Sequence, residues 1–182
     1  MYKDLIFAES DCKNLLDSVT GFTKSKLYYT GGDGSKNEII SSSQRNSLQY
    51  DFDLLNGEEI YNKLDVILKK FGYKLIADKL ICNIIRYEEG HYIFKHRHDS
   101  DGDSFLTFVI QLDNSEDYEG GDFIYWDENN QEQIMERTKG FGYMLSADVT
   151  HEVRKVTKNV RHSFVVFIKY ENVLELNKKK LL

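Results

Sequence analysis

A chain of 182 residues with 41% hydrophobic side chains, 12 Tyr and 11 Phe carries enough apolar mass for a real core, which excludes a disordered or collagen-like protein. A net charge of −6 argues against generic nucleic-acid binding, and no run approaches 18 apolar residues, so neither a signal peptide nor a membrane span is expected. Proline is absent, so every turn falls to Gly, Asn, Asp or Ser.

In chain order, a first helix is predicted from Ser10 as N-cap, with Leu15, Leu16, Val19 and Phe22 on one face. The Gly-, Ser- and Asn-rich stretch from Tyr29 to Gln49 reads as a long loop leading into a strand near Leu48 to Leu54. Asn56 with Glu59 resembles a capping box, and Ile60, Leu64, Ile67, Leu68 and Phe71 then repeat at helical spacing. From Lys74 to Tyr170, about seven runs rich in Ile, Val, Phe and Tyr are separated by Gly and Asn turns. The pattern predicts a mainly β (α+β) chain: one domain over 1–182, with N-terminal helical support over 1–73, a jelly-roll (double-stranded β-helix) core over 74–170 and a short helical tail over 171–182.

Cys12 and Cys82 form no CxxC pair, so two reduced thiols and an intracellular, cytoplasmic location are expected. Between His98 and Glu136 there are 12 Asp or Glu and no Lys or Arg. Solvated acidic loops explain this window; the functional alternative is a rim that attracts a cationic substrate.

All five histidines lie between positions 91 and 162. Alternate residues of a strand share a face, so His96 and His98 are expected to point the same way as Phe94, with His151 from a distant strand completing a metal site. Imidazole and carboxylate without cysteine suit Fe(II), Mn(II) or Zn(II), and nearby carboxylates are supplied by Asp99, Asp101 and Asp103. That acidic run lacks the Gly and Glu of an EF-hand, which excludes a calcium loop.

The stretch from His151-Glu152-Val153 to Arg161-His162-Ser163 resembles the distal half of the signature of iron- and 2-oxoglutarate-dependent oxygenases of the prolyl-4-hydroxylase-like type. Asn159 replaces the usual turn glycine, a swap that Asn tolerates. Tyr87 to His96, the strand Leu106 to Leu112, Glu119-Gly120-Gly121 and Gly140 resemble the family's remaining pieces in order, so similarity spans roughly Ile84 to Ile168. The resemblance implies Fe(II) on His96, His151 and a third ligand, with 2-oxoglutarate and O2 as cosubstrates and ascorbate as an accessory reductant. It further implies that Arg161 and Ser163 hold the far carboxylate of 2-oxoglutarate, with Tyr87 and Tyr92 lining the cavity and Thr107 and Gln111 facing the cosubstrate from the barrel interior. The products are succinate, CO2 and a hydroxylated peptide (prolyl included) or amino-acid-like substrate, and the segment Tyr29 to Ser43 is a plausible lid.

One position departs from the family. Its acid two residues after the first ligand is His98 here, and Asp99 follows. A bulge after His96 would turn Asp99 inward; strand geometry favours His98. The Gly90 to His98 spacing also matches the opening of a cupin motif, so the rivals are a cupin-like three-histidine metalloenzyme without 2-oxoglutarate and a non-catalytic jelly-roll binding module.

Overall fold

Thr107, Val109 and Gln111 alternate with Leu106, Phe108, Ile110 and Leu112, and the two sets bury against different layers, which fixes how the rest of the chain stacks. A computed structural model describes residues 1–25, 27–30, 36–39, 44–76, 80–98 and 104–176, with the backbone alone at 27–30, 36–39, 56, 104 and 105.

The N-terminal part contains β1 (Tyr2–Leu5), α1 (Glu9–Asp17), β2 (Thr23–Lys24), β3 (Leu27–Thr30), β4 (Lys36–Ile39), β5 (Arg45–Asn46), β6 (Leu48–Asp51) and α2 (Glu58–Lys70). There follow β7 (Tyr73–Leu75), β8 (Ile81–Tyr87), β9 (Tyr92–His96), β10 (Ser104–Gln111), β11 (Glu119–Gly120) and β12 (Phe123–Trp126). The last elements are β13 (Glu132–Ile134), β14 (Phe141–Ser146), β15 (His151–Val153), β16 (Val156–Lys158), β17 (Arg161–Lys169) and β18 (Val173–Glu175). Among the described residues, the seven runs expected after Lys74 thus resolve into eleven strands, β7 to β17, several only two or three residues long.

A seven-stranded antiparallel sheet, ordered β1-β14-β10-β17-β8-β6-β2, faces a five-stranded one, ordered β13-β12-β15-β9-β5. Ile85, Val109, Tyr143 and Leu145 of the first sheet pack against Ile93, Phe123 and Val153 of the second, giving the inter-sheet core of a jelly roll. The opposite face of the large sheet, through Ile84, Phe108, Ile110, Phe164 and Val166, meets Leu15 of α1 and Leu64 and Leu68 of α2. The helical periodicity of Ile60, Leu64, Ile67 and Leu68 is therefore the docking stripe; Phe71, beyond the helix, is 46% exposed and meets Tyr2 edge-on.

Several boundaries differ from expectation. Ala8, not Ser10, caps α1; the carboxylate of Asp11 reaches back to accept from its N–H at 2.6 Å. Asn56 closes a 3-10 turn, Leu54–Asn56, so that Gly57 is the cap of α2. The N-terminal part is more than helical support, because β1, β2 and β6 join the large sheet. Within the stretch read as a loop, β3 pairs with β4 and β5 with β9, while the rest of the expected lid lies outside the described residues. Tyr170–Asn172 is a 3-10 turn followed by β18, which pairs with β7, so the expected tail helix does not start at Glu171; 177–182 lie outside the described residues. No described helix is long and apolar enough to cross a membrane. Cys12 and Cys82 are free and buried, and burial pushes their thiols up to about 11 and about 12, so neither is a ready nucleophile.

Gly140 shows how tightly the sheet edge is closed. Its φ is +78, its carbonyl accepts from the N–H groups of Ile6 and Phe7, and an added Cβ would lie 2.0 Å from the Phe7 carbonyl oxygen. Gly140→Ala is expected to cost about 2 kcal/mol or more in urea unfolding; an unchanged midpoint would contradict this account.

Candidate active site

The site begins with an irregularity in β9. His96 pairs with His151 and Ile93 with Val153, so three steps along β9 match two along β15. The extra residue reverses the alternation: Ile93 and His96 both face inward, and Phe94 is 57% exposed. Phe94 therefore does not share the face of His96, and this bulge precedes His96; 99–103, where the expected turn toward Asp99 would fall, lie outside the described residues. His98, two residues on, keeps the face of His96, with its N–H donating to the Ala147 carbonyl at 2.9 Å.

The structure brings His96, His98 and His151 together, one ligand nitrogen from each lying within 4.8 Å of the others. Ring centroids are 4.2 Å apart for His96 and His151, 5.1 Å for His96 and His98, and 5.0 Å for His98 and His151. His96 Nδ1 donates to the Phe94 carbonyl at 2.8 Å and His151 Nδ1 to that of Val149 at 2.9 Å, an arrangement that leaves each Nε2 lone pair for a metal. Phe123 stacks on His151 at 5.4 Å and 8°. Burial first, then neighbouring positive charge, holds all three imidazoles neutral: His96 is lowered, His151 is lowered well below its ordinary value, and His98 is pushed down to about 3. Asp99 lies outside the described residues.

The other histidines serve structure. His91 Nδ1 accepts from the Glu88 N–H at 3.1 Å, and His162 meets Asp113 at 3.1 Å with Phe22 beside its ring.

On the facing sheet, Arg161 opens β17 opposite Tyr87 of β8. Its side chain is only 1% exposed, with the guanidinium carbon 5.2 Å from the centre of the Tyr87 ring. Nη2 donates to Gln111 Oε1 at 2.5 Å, while Nε and Nη1 are buried with no hydrogen-bond partner among the described residues. A permanently charged group with two unmet donors is costly to bury, and among the described residues no carboxylate pairs with it. Ser163 is buried two residues along the same strand, between Gln111 and Ile85 in register. Thr107 is likewise inward and its buried hydroxyl has no partner. Its cross-strand neighbour Phe167 meets His98 at 5.2 Å. Gln111 lines the same cavity as Arg161, with its amide already bonded to Arg161 and to the Tyr118 hydroxyl. Tyr92 packs on Phe94 at 4.7 Å, on the outward side.

Three residues were not singled out by the sequence pattern. Arg45 on β5 pairs with inward-facing Ile93, donates to Ser47 Oγ at 2.8 Å, and its charge helps to lower His96 and His98. Tyr118 and Arg137 stand behind Gln111. The only hints were positional: Tyr118 directly precedes the Glu-Gly-Gly turn, and Arg137 is the first basic residue after the acidic window.

A profile described as the 2OG-Fe(II) oxygenase superfamily matches residues 82–169, the stretch holding the three imidazoles, Gln111 and Arg161. That stretch, close to half of the chain, belongs to this superfamily. Solved structures of prolyl-4-hydroxylase-like 2OG-Fe(II) oxygenases share the fold of this oxygenase domain and its N-terminal additions. A 2OG-Fe(II) oxygenase family oxidoreductase from Burkholderia pseudomallei is 18% identical with a TM-score of 0.63, covering 95% of this chain and 85% of its own. A Pseudomonas putida prolyl-4-hydroxylase is 13% identical with a TM-score of 0.61, over 92% and 91%. A Trichoplax adhaerens prolyl hydroxylase, in complex with a hypoxia-inducible-factor peptide fragment, is 14% identical with a TM-score of 0.64, over 89% and 76%. No curated protein matches the chain.

The neutral imidazoles give the metal-free protein a signed pH dependence. His98 titrates near 3 when folded and near 6.5 when unfolded, so below about 6.5 the unfolded chain binds protons that the folded chain refuses. Stability is expected to fall as pH drops from 7.5 to 5, and less steeply in His98→Gln. Equal slopes in urea titrations of both proteins would remove His98 as the cause.

Proposed function

We propose that the chain is an Fe(II)- and 2-oxoglutarate-dependent hydroxylase acting on a peptide, prolyl peptides included, or on an amino-acid-like substrate. The observation that carries this reading is Arg161, a buried guanidinium with two unmet donors across the inter-sheet space from three neutral imidazoles. Three nitrogen donors on one side suit a divalent transition metal, and an orphaned cation on the other suits the far end of a dicarboxylate. The residues fit both groups.

His96 and His151 would hold the metal through Nε2, with His98 as the third ligand from the described residues and Asp99 as its rival. When bound, Fe(II) with 2-oxoglutarate and O2 supplies oxidising power that yields succinate, CO2 and a hydroxylated substrate. This chain's own share is positional. Arg161 binds the remote carboxylate, with Ser163 and Thr107 as neighbouring hydroxyl donors. Tyr87 covers the guanidinium, Phe123 fixes the plane of His151, and the packed aromatics keep water from the reacting centre. Ascorbate fits as an accessory reductant.

The peptide choice is supported by the peptide-bound Trichoplax relative. A cationic substrate has less support than composition suggested. Within the acidic window, Asp113 meets His162, Glu119 meets Lys158, Glu132 meets Arg154 and Asp127 accepts from the N–H groups of its own turn, while Arg45 adds positive charge beside the imidazoles. A second reading, the cupin-like site without 2-oxoglutarate, is favoured by the third imidazole alone and leaves Arg161 without a purpose.

The test is succinate formation from 2-oxoglutarate with Fe(II), without added substrate and with a panel of prolyl peptides. Arg161→Ala is expected to lower turnover at limiting 2-oxoglutarate by about 30-fold or more, and His151→Ala to abolish iron retention. Turnover indifferent to Arg161→Ala would sink the carboxylate assignment. Iron content of His98→Ala and Asp99→Ala identifies the third ligand as whichever variant loses metal.

A further inference from the structure

Among the described residues, Arg161 is held by a single side-chain hydrogen bond, and the acceptor is an amide, a group with two orientations of opposite polarity. If Gln111 presented Nε2 to the guanidinium, donor would face donor. The other face of the amide meets Tyr118, only 2% exposed, whose hydroxyl accepts from Gln111 Nε2. The same hydroxyl accepts from Arg137 Nε at 3.2 Å. Arg137 in turn is anchored independently of the cavity: Nη2 donates to the carbonyls of Gly120 at 2.7 Å and Tyr118 at 3.3 Å, Nη1 lies 3.7 Å from Asp122, and its guanidinium sits 4.3 Å from the Tyr118 ring centre.

The turn that Arg137 braces also shapes the path of the Arg161 stem. Gly121 has φ +66, and a Cβ there would come within 3.1 Å of Arg161 Cδ and 2.8 Å of Val156 Cγ2. One half-buried cation therefore braces both the tyrosine behind the amide that receives Arg161 and the turn past which Arg161 runs.

We propose that Arg137, Tyr118 and Gln111 form a positioning chain that holds Arg161 with Nε and Nη1 presented to a dicarboxylate ligand, and that position 111 is an amide because a carboxylate there would consume the guanidinium. The inference rests on the functional reading above and deepens it. A neutral acceptor fixes one edge of the guanidinium while leaving its charge uncompensated. Glutamate, nearly the same size, would form a buried ion pair and compete directly with the ligand. None of the three residues needs to touch the ligand, so they are positioning residues.

The experiment measures binding of glutarate and 2-oxoglutarate by calorimetry to wild type, Tyr118→Phe, Arg137→Met, Gln111→Leu and Gln111→Glu, with thermal midpoints recorded in parallel. Glutarate has no keto group, so its affinity for the metal-free protein reports Arg161 and the hydroxyls beside it without metal chelation. Tyr118→Phe and Arg137→Met are expected to weaken glutarate by about 5- to 20-fold. In turnover, KM for 2-oxoglutarate should rise with kcat within about two-fold. Gln111→Glu should bind more weakly than Gln111→Leu while melting no lower, an order that a merely structural role would reverse. Wild-type affinity in Tyr118→Phe, or tighter binding in Gln111→Glu than in Gln111→Leu, overturns the positioning chain and leaves the oxygenase reading standing. A wild-type protein that binds neither diacid overturns that reading and the chain with it.

Discussion

A guanidinium sealed between two sheets imposes conditions on everything around it. Arg161 cannot lose its proton, so the fold has to supply acceptors or leave the desolvation cost standing. It supplies one, from Gln111, and a tyrosine face beneath. The incompleteness is the informative part. Among the described residues no carboxylate forms an ion pair with it, although Glu136 lines the same cavity; its protein partners are the Gln111 amide and the Tyr87 ring. Folding energy from the inter-sheet core carries a charge that the described protein groups satisfy only in part.

The metal-binding side has the complementary design. Its three imidazoles are kept neutral first by burial, then by Arg45 or by one another, and two are oriented by backbone carbonyls two residues earlier in the chain. Neutral donors opposite an uncompensated cation, with Arg45 beside them, leave the space between the sheets net positive. The β9 bulge is what makes the arrangement fit, since without the extra residue Ile93 and His96 would face opposite sides of the sheet.

Much of this was legible in the chain. The faces of α2 and β10 follow from periodicity, because burial on one side is what periodicity records. Asn159 takes φ 61, as the turn between His151 and Arg161 requires. Other features leave no local trace. The caps at Ala8 and Gly57 use residues without a capping side chain, so the signals at Ser10 and Asn56 misled by one or two positions. A bulge is an insertion relative to a partner strand, and the partner of β9 lies more than fifty residues away, so the orientation of Phe94 could not be read from β9 alone. Tyr118 and Arg137 act through hydrogen bonds whose other ends are distant in sequence.

The imidazoles belong to the smaller sheet and its edge, whereas Arg161, Gln111 and Thr107 belong to the larger. Any small molecule that engages both must span the gap between the layers. Its binding energy then opposes every fluctuation that parts them, so the occupied sandwich is mechanically a different object from the empty one. Amide exchange in β9 and β15 would slow together with that in β17, although these strands sit in different sheets.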